Sequence, residues 1–310
     1  MKTTLLRLFQ TLALSIFFYV GITFVINKVT FKNRRLSCYT MPYVQRAGGQ
    51  ERLMGNDFNP QEKYDVLVYG SSHAYRGYDP RNFQKAGYSL FNAGTSSQSI
   101  SGTYVIATNA IPPSSGKLVI IDIYDVVWGI SDLENSNLLI QNFPNNAVKT
   151  AAFTSHPDIR KFNQLVASWC TKSTLEETKA KGYISNGYCT RTDTVSLPWP
   201  VADVITEIEP RYLTDFEKMI DLTLQSGSTL VLISHPLPPI ETHANNHRLL
   251  KPHIEKAAKD HGIVYLDYTH HSEFTLPEKF ADENHLNQTG VNLFNEILIE
   301  DLKKRQLLPQ

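Results

Sequence analysis

Three short stretches carry the residue types of acyl-transfer chemistry. Gly70-Ser71-Ser72-His73 directly follows an apolar run that ends at Tyr69. A serine where a strand hands over to a helix is exposed at the rim of a sheet, beside backbone N–H groups and the positive end of a helix dipole. A nucleophile and the oxyanion it generates need both, although an ordinary serine N-cap has the same signature. Asp282-Glu283-Asn284-His285 lies near the C-terminus. A general-base histidine needs an acceptor on one ring nitrogen so that the other is free to take a serine proton, and an aspartate three residues earlier can supply it. The third stretch is Asn92-Ala93-Gly94. Its glycine allows close backbone approach and can aim an N–H at an oxyanion, or it can simply turn the chain.

Residues so far apart in the chain meet only if regular elements carry them to one edge. Asp65–Tyr69 reads as a short continuous apolar run stopped by Gly70, and four more runs follow at 88–92, 118–123, 229–233 and 263–266. Such runs suit strands covered on both faces, as in a parallel sheet. Amphipathic helical patterns lie at 212–226, 246–261 and about 289–305. The alternation predicts a three-layer α/β/α sandwich with a five-stranded, mostly parallel sheet. The stretch from about 130 to 210 breaks the rhythm and reads as an insertion, packed near the carboxyl edge of the sheet where such folds bind ligands, or else extending the core.

The chain has 310 residues, 42% of them hydrophobic and 19% charged, enough for a full core and incompatible with disorder. Thirty basic residues balance thirty acidic ones, which removes the electrostatic footprint of a nucleic-acid binder. Three cysteines with no C-x-x-C pair exclude a disulfide scaffold, although Cys170 and Cys189 could pair outside the cell. Leu8 to Ile26 is free of charge for nineteen residues, about the length that crosses a bilayer. A cleaved signal peptide fits worse, because no small-x-small site follows, and Lys32, Arg34 and Arg35 separate Cys38 from the run as a lipoprotein cysteine would not be. A buried core helix is the remaining alternative. The expected layout is a membrane anchor at 1–27, a linker and lead-in at 28–63, and one domain at 64–310. The basic flank from Lys28 to Arg35 favours a cytoplasmic body by the positive-inside rule, whereas a short tail before a single span is the layout of an exporting signal anchor.

Other residues carry weaker signals. His243 and His247 have i,i+4 spacing and His270-His271 is a pair, but no carboxylate or cysteine stands at a recognised ligand spacing, so solvent-facing or capping histidines are expected and no metal. His235 follows the fourth strand among prolines and is a candidate substrate contact, as are His73 and Arg76 near the serine. Asn287 is placed to cap the last helix.

Taken together, the three motifs resemble the SGNH/GDSL hydrolase family over about residues 64–305. The family's Gly-Asp-Ser block falls on Gly70-Ser71-Ser72, its oxyanion glycine on Gly94 and its Asp-x-x-His block on Asp282 and His285. The resemblance implies a flavodoxin-like sheet and a serine esterase. Ser72 would be the nucleophile, His285 the base, Asp282 its orienting partner, and the N–H groups of Ser72 and Gly94 the oxyanion donors, with no cofactor. The stretch Tyr64 to Pro80 is more similar to membrane-anchored envelope members than to free secreted lipases. The expected activity is therefore an O-acyl hydrolase or transferase on an envelope glycan or lipid. The body would be extracytoplasmic, with envelope-biosynthesis proteins as candidate partners and Trp128, Trp169 and Trp199 as candidate sugar platforms. One departure matters. Where the family's Gly-x-Asn-Asp block belongs, the chain reads Asp122-Ile123-Tyr124-Asp125. Loss of one oxyanion donor costs about a hundred- to a thousandfold in rate, so the alternative is a catalytically weak or inactive member that binds or assembles envelope polysaccharide.

Overall fold

A computed structural model of the protein describes residues 2–32, 34–37, 49–170 and 182–309, without the side chains of 34, 35 and 170. Five strands form one sheet: β1 (Tyr64–Tyr69), β2 (Leu90–Asn92), β3 (Gly116–Ile123), β4 (Thr229–Ser234) and β5 (Val264–Asp267). Their order is β2-β1-β3-β4-β5 and every pair is parallel. This is the flavodoxin-like order. Its register follows Val66 opposite both Leu90 and Leu118, Leu118 opposite Thr229 and Val231 opposite Val264.

Period-two alternation explains why the strands are apolar throughout. Leu67, Tyr69, Val119, Ile121, Leu230 and Leu232 point to one face, and Val66, Val68, Leu118, Ile120, Val231 and Ile233 to the other. Helices Ile100–Asn109, Pro210–Gln225 and Glu241–His261 cover the first face. The helices at Pro80–Lys85 and Gln288–Lys304 cover the second through Phe83, Val291, Phe294, Leu298 and Leu302. The last of these is capped by Asn287, whose Oδ1 accepts from Gly290 N–H at 3.1 Å.

Helix α1 (Lys2–Lys28) is, among the described residues, the one helix long and apolar enough to cross a membrane. Most of its apolar side chains are exposed, which excludes a buried core helix. Its last turns lean on the body. Thr23 and Asn27 are buried, and the Tyr19 hydroxyl donates to Asn163 Oδ1 at 2.5 Å. Cys38 lies outside the described residues. Within the stretch read as a linker, helix α2 (Gln50–Asp57) packs into the body, because Gln50 and Met54 fall one turn apart on one face. Met54 is fully buried and Gln50 Nε2 donates to the Gly94 carbonyl at 2.9 Å.

The segment between β3 and β4 does two things. Helices at Leu133–Asn142, Asn146–Thr154 and Ile159–Cys170 add Leu139, Ile140, Val148 and Leu165 to the core. Residues 182–209 cross the carboxyl edge of the sheet. There the Asn186 carbonyl accepts from Asn92 N–H at the end of β2 at 2.9 Å, Cys189 N–H donates to the Tyr75 carbonyl at 2.8 Å, and Val195 N–H donates to the Phe280 carbonyl at 3.0 Å. Cys189 is buried, which pushes its thiol up to about 12. The side chain of Cys170 lies outside the described residues.

Candidate active site

The chain leaves β1 toward β2 on one side and returns to β3 on the other, so the carboxyl ends of β1 and β3 form the switch-point crevice where such sheets bind ligands. Gly70 makes the exit from β1. Its φ of +152° disfavours any side chain, and a Cβ there would lie 2.8 Å from Asp122 Cβ and 2.9 Å from Ala74 Cβ. Helix α3 (Ser72–Gly77) starts at once, with Ser71 as N-cap accepting from His73 N–H at 3.4 Å. Ser72 is therefore the first helical residue, and its N–H has no intrahelical partner.

His285 comes from the turn that precedes the last helix. Its Nε2 lies 2.7 Å from Ser72 Oγ and its Nδ1 lies 3.0 Å from both oxygens of Asp282. The carboxylate only accepts, so Nδ1 carries the proton and Nε2 is left to accept from the serine hydroxyl. Asp282 Oδ1 also receives the backbone N–H groups of Asn284 at 3.1 Å and His285 at 2.8 Å, which ties the turn to its own aspartate. Burial alone would raise the Asp282 carboxyl, but the hydrogen bonds from His285 and these backbone groups hold it well below the usual carboxylate range. His285 is lowered, first by burial, with Asp282 opposing and Arg76 and Arg191 adding to the fall.

Two other histidines hold this turn by its carbonyls. His73 Nε2 donates to the Asn284 carbonyl at 2.8 Å, and His243 Nε2 donates to the Glu283 carbonyl at 2.7 Å. Burial lowers both rings, His73 by far the more, so each is neutral and carries its proton on the donating nitrogen. His73 is also sandwiched between Tyr124 and His285, with ring centroids 3.7 and 4.8 Å away. The expectation of His73 as a substrate contact is corrected on that ground: it is buried and both faces are covered. His235 is corrected likewise. It is buried beneath α3, against Gly77 and Phe294, with Nδ1 3.5 Å from Asp122 Oδ2.

His243 and His247 are not solvent-facing either. His247 lies between Asp125 at 3.2 Å and Asp267 at 3.0 Å. Burial would lower it, but hydrogen bonds to the two carboxylates raise it to about 9, and Asp267 is shared with the partly exposed Lys251.

Gly94 sits tightly against α3: a Cβ there would lie 2.8 Å from Ala74 Cβ and 2.9 Å from Tyr75 N. Its N–H, however, donates to Asn92 Oδ1 at 3.0 Å. The expectation of a free oxyanion donor at Gly94 is corrected, because the amide is already engaged within its own loop.

Arg76 stands one turn after Ser72, with its guanidinium over the Tyr75 ring at 5.0 Å. Arg191, which no motif signalled, pairs through Nη1 with Asp282 Oδ2 and through Nη2 with Asp193 at 3.3 Å. Of the three tryptophans, Trp128 is buried against Phe216 and Trp169 is exposed on the helix Ile159–Cys170. Trp199 is half-buried and packs edge-on against Phe280, two residues before Asp282.

Fold and site together define a doubly wound α/β protein with a Ser-His-Asp hydrogen-bonded chain at its switch point. No protein-family model matches the chain, and comparison with curated proteins finds no match. Solved structures similar to it include a lipase/acylhydrolase from Enterococcus faecalis, at 12% identity and TM-score 0.41, covering 77% of this chain and 95% of that one. A GDSL-like lipase from Bacteroides thetaiotaomicron has 14% identity and TM-score 0.41 over 77% of this chain and 88% of that one. An acetyl-xylooligosaccharide esterase from Geobacillus has 10% identity and TM-score 0.39, over 77% and 92%. These are loose superpositions; the flavodoxin-like fold stands on the strand order itself.

Proposed function

We propose that the protein is an SGNH-type serine esterase or O-acyltransferase, held at a membrane by α1 and acting on acyl esters of an envelope glycan or lipid. The observation that carries this is the unbroken chain from Ser72 Oγ through His285 to Asp282. Ser72 Oγ attacks the acyl carbonyl while His285 Nε2 takes its proton. The tetrahedral oxyanion is held by the Ser72 N–H, and collapse expels the alcohol, which leaves with the proton returned by His285. Water or a sugar hydroxyl then takes the acyl group from Ser72 by the same steps in reverse. A fluorophosphonate probe tests the assignment: stoichiometric labelling is expected, and its absence would favour a binding protein that keeps the fold without turnover.

The pH dependence has a definite sign. The active base is neutral His285, and burial sets it below the ordinary histidine value. The rate is therefore complete above the lowered His285 value and lost as pH falls through it. The acid limb of kcat/KM should be centred below the free-histidine value of about 6.5. A limb centred above about 7 would contradict the assigned environment of His285.

Anchoring rests on the length and exposure of α1. Export of the body follows from the proposed substrate and from the signal-anchor layout, against the basic flank. A topology reporter fused to the C-terminus should read extracytoplasmic. A cytoplasmic reading would remove the envelope substrate and leave an intracellular esterase.

A further inference from the structure

Helix α3 is enclosed almost completely. Ser71, His73, Ala74, Tyr75 and Gly77 are buried, and only Ser72 and Arg76 reach partial exposure. These two are four residues apart, so they share one stripe of the helix, one above the other. Whatever approaches Ser72 Oγ from solvent also meets Arg76.

The charge there is not compensated from within the protein. Arg191, the other guanidinium beside the site, is matched by Asp282 and Asp193. Arg76 forms no ion pair with a carboxylate among the described residues. Its contact is the Tyr75 ring, and its Nε is buried with no hydrogen-bond partner. A buried donor without an acceptor is costly, and more so on a charged group. Arg76 itself is partly exposed, and the planar fork of a guanidinium matches a carboxylate or phosphate with two parallel N–H···O bonds.

We propose that Arg76 is a specificity-determining residue and that the acyl ester taken by Ser72 sits on a molecule carrying an oxyanion group, a carboxylate or a phosphate, about one helical turn from the scissile bond. This rests on the proposed esterase function for its meaning but not for its test, because binding can be read without turnover.

The experiment uses the full-length protein with Ser72→Ala, so that probes are not consumed. Three probes are titrated calorimetrically: an O-acetylated oligogalacturonate, O-acetyl glycerol 3-phosphate, and a neutral O-acetylated xylo-oligosaccharide. At least one anionic probe should bind about tenfold or more tightly than the neutral one, the scale of a charge-assisted contact. Whichever does so distinguishes carboxylate from phosphate. Adding Arg76→Gln should erase the preference, and Arg76→Lys, which keeps the charge without the fork, should retain part of it. Equal binding of all three probes, or an anionic preference that survives Arg76→Gln, overturns the inference. Failure of the esterase proposal is read separately, in the absence of fluorophosphonate labelling of the unsubstituted protein.

Discussion

Ser72→Ala should abolish both fluorophosphonate labelling and ester turnover while leaving the fold intact. Only Oγ is removed from a residue that is partly exposed, and that oxygen bonds His285 Nε2. Packing is therefore untouched and Tm should stay within the small range of surface substitutions. The rate has no such reserve. Members of a nucleophile–base pair act as a unit, and loss of the nucleophile alone costs most of the catalysis the unit supplies, at least about a thousandfold. His285→Ala should be nearly as severe. Ser71→Ala is the informative control. Ser71 is buried, its oxygen caps α3 and lies 3.4 Å from His73 Nδ1, and it does not touch His285. If Ser71→Ala removes labelling and Ser72→Ala does not, the nucleophile is misplaced by one residue.

The rim that carries Ser71 and Ser72 was legible because strand patterns end sharply, whereas the choice between the two serines came from the family resemblance. Val66–Tyr69 and Leu118–Ile121 are apolar at every position, so strand ends, and hence the rim where Ser72 lies, follow from burial on both faces. The local Asp282–His285 contact was legible for a different reason. Three residues on one turn are close whatever the rest of the fold does. What could not be read is what arrives from far along the chain. His243 reaches Glu283 across 40 residues, and Arg191 reaches Asp282 across 91. Neither has a periodicity that marks it, since a histidine on an amphipathic helix looks alike whether it faces water or a carbonyl. Arg191 lies in a stretch with no strand or helix pattern at all. Gly94 was misjudged for a related reason: the sequence locates the glycine but not the direction of its N–H, and Asn92, two residues earlier, takes it. Met54 and Gln50 were read as linker because a helix of eight residues offers too few turns for a pattern to emerge.

The engaged Gly94 amide and the absent asparagine donor shift weight onto the remaining parts of the site. With fewer groups to hold the oxyanion, more of the rate must come from substrate positioning and from the His285–Asp282 pair. The turn bearing that pair is held from four sides, by His73, His243, Asp282 itself and Tyr124, whose hydroxyl receives Asn284 Nδ2 at 3.2 Å. A base fixed this firmly loses little entropy on reaching the transition state.

Asp282→Asn separates the geometric contribution of the aspartate from its charge. An asparagine Oδ1 can still accept from the N–H groups of Asn284 and His285, so the turn should keep its shape. The other atom becomes an NH2 donor facing His285 Nδ1, and a donor there favours the tautomer with the proton on Nε2. The protonated Nε2 then faces Ser72 as a donor and cannot accept the serine proton, so the base is disabled without being displaced. Arg191 keeps Asp193 and loses its bond to Asp282, and the substitution itself removes the negative charge that steadies the imidazolium formed during attack. A fall in kcat of about a hundred- to ten-thousandfold is expected, smaller than for Ser72→Ala, with little change in KM because Asp282 faces His285 rather than the substrate. The acid limb of the pH profile should move further down, since His285 would lose the partner that opposes the effect of burial. An Asp282→Asn protein with undiminished kcat would show that Asp282 only shapes the turn and that His285 acts as a dyad with Ser72.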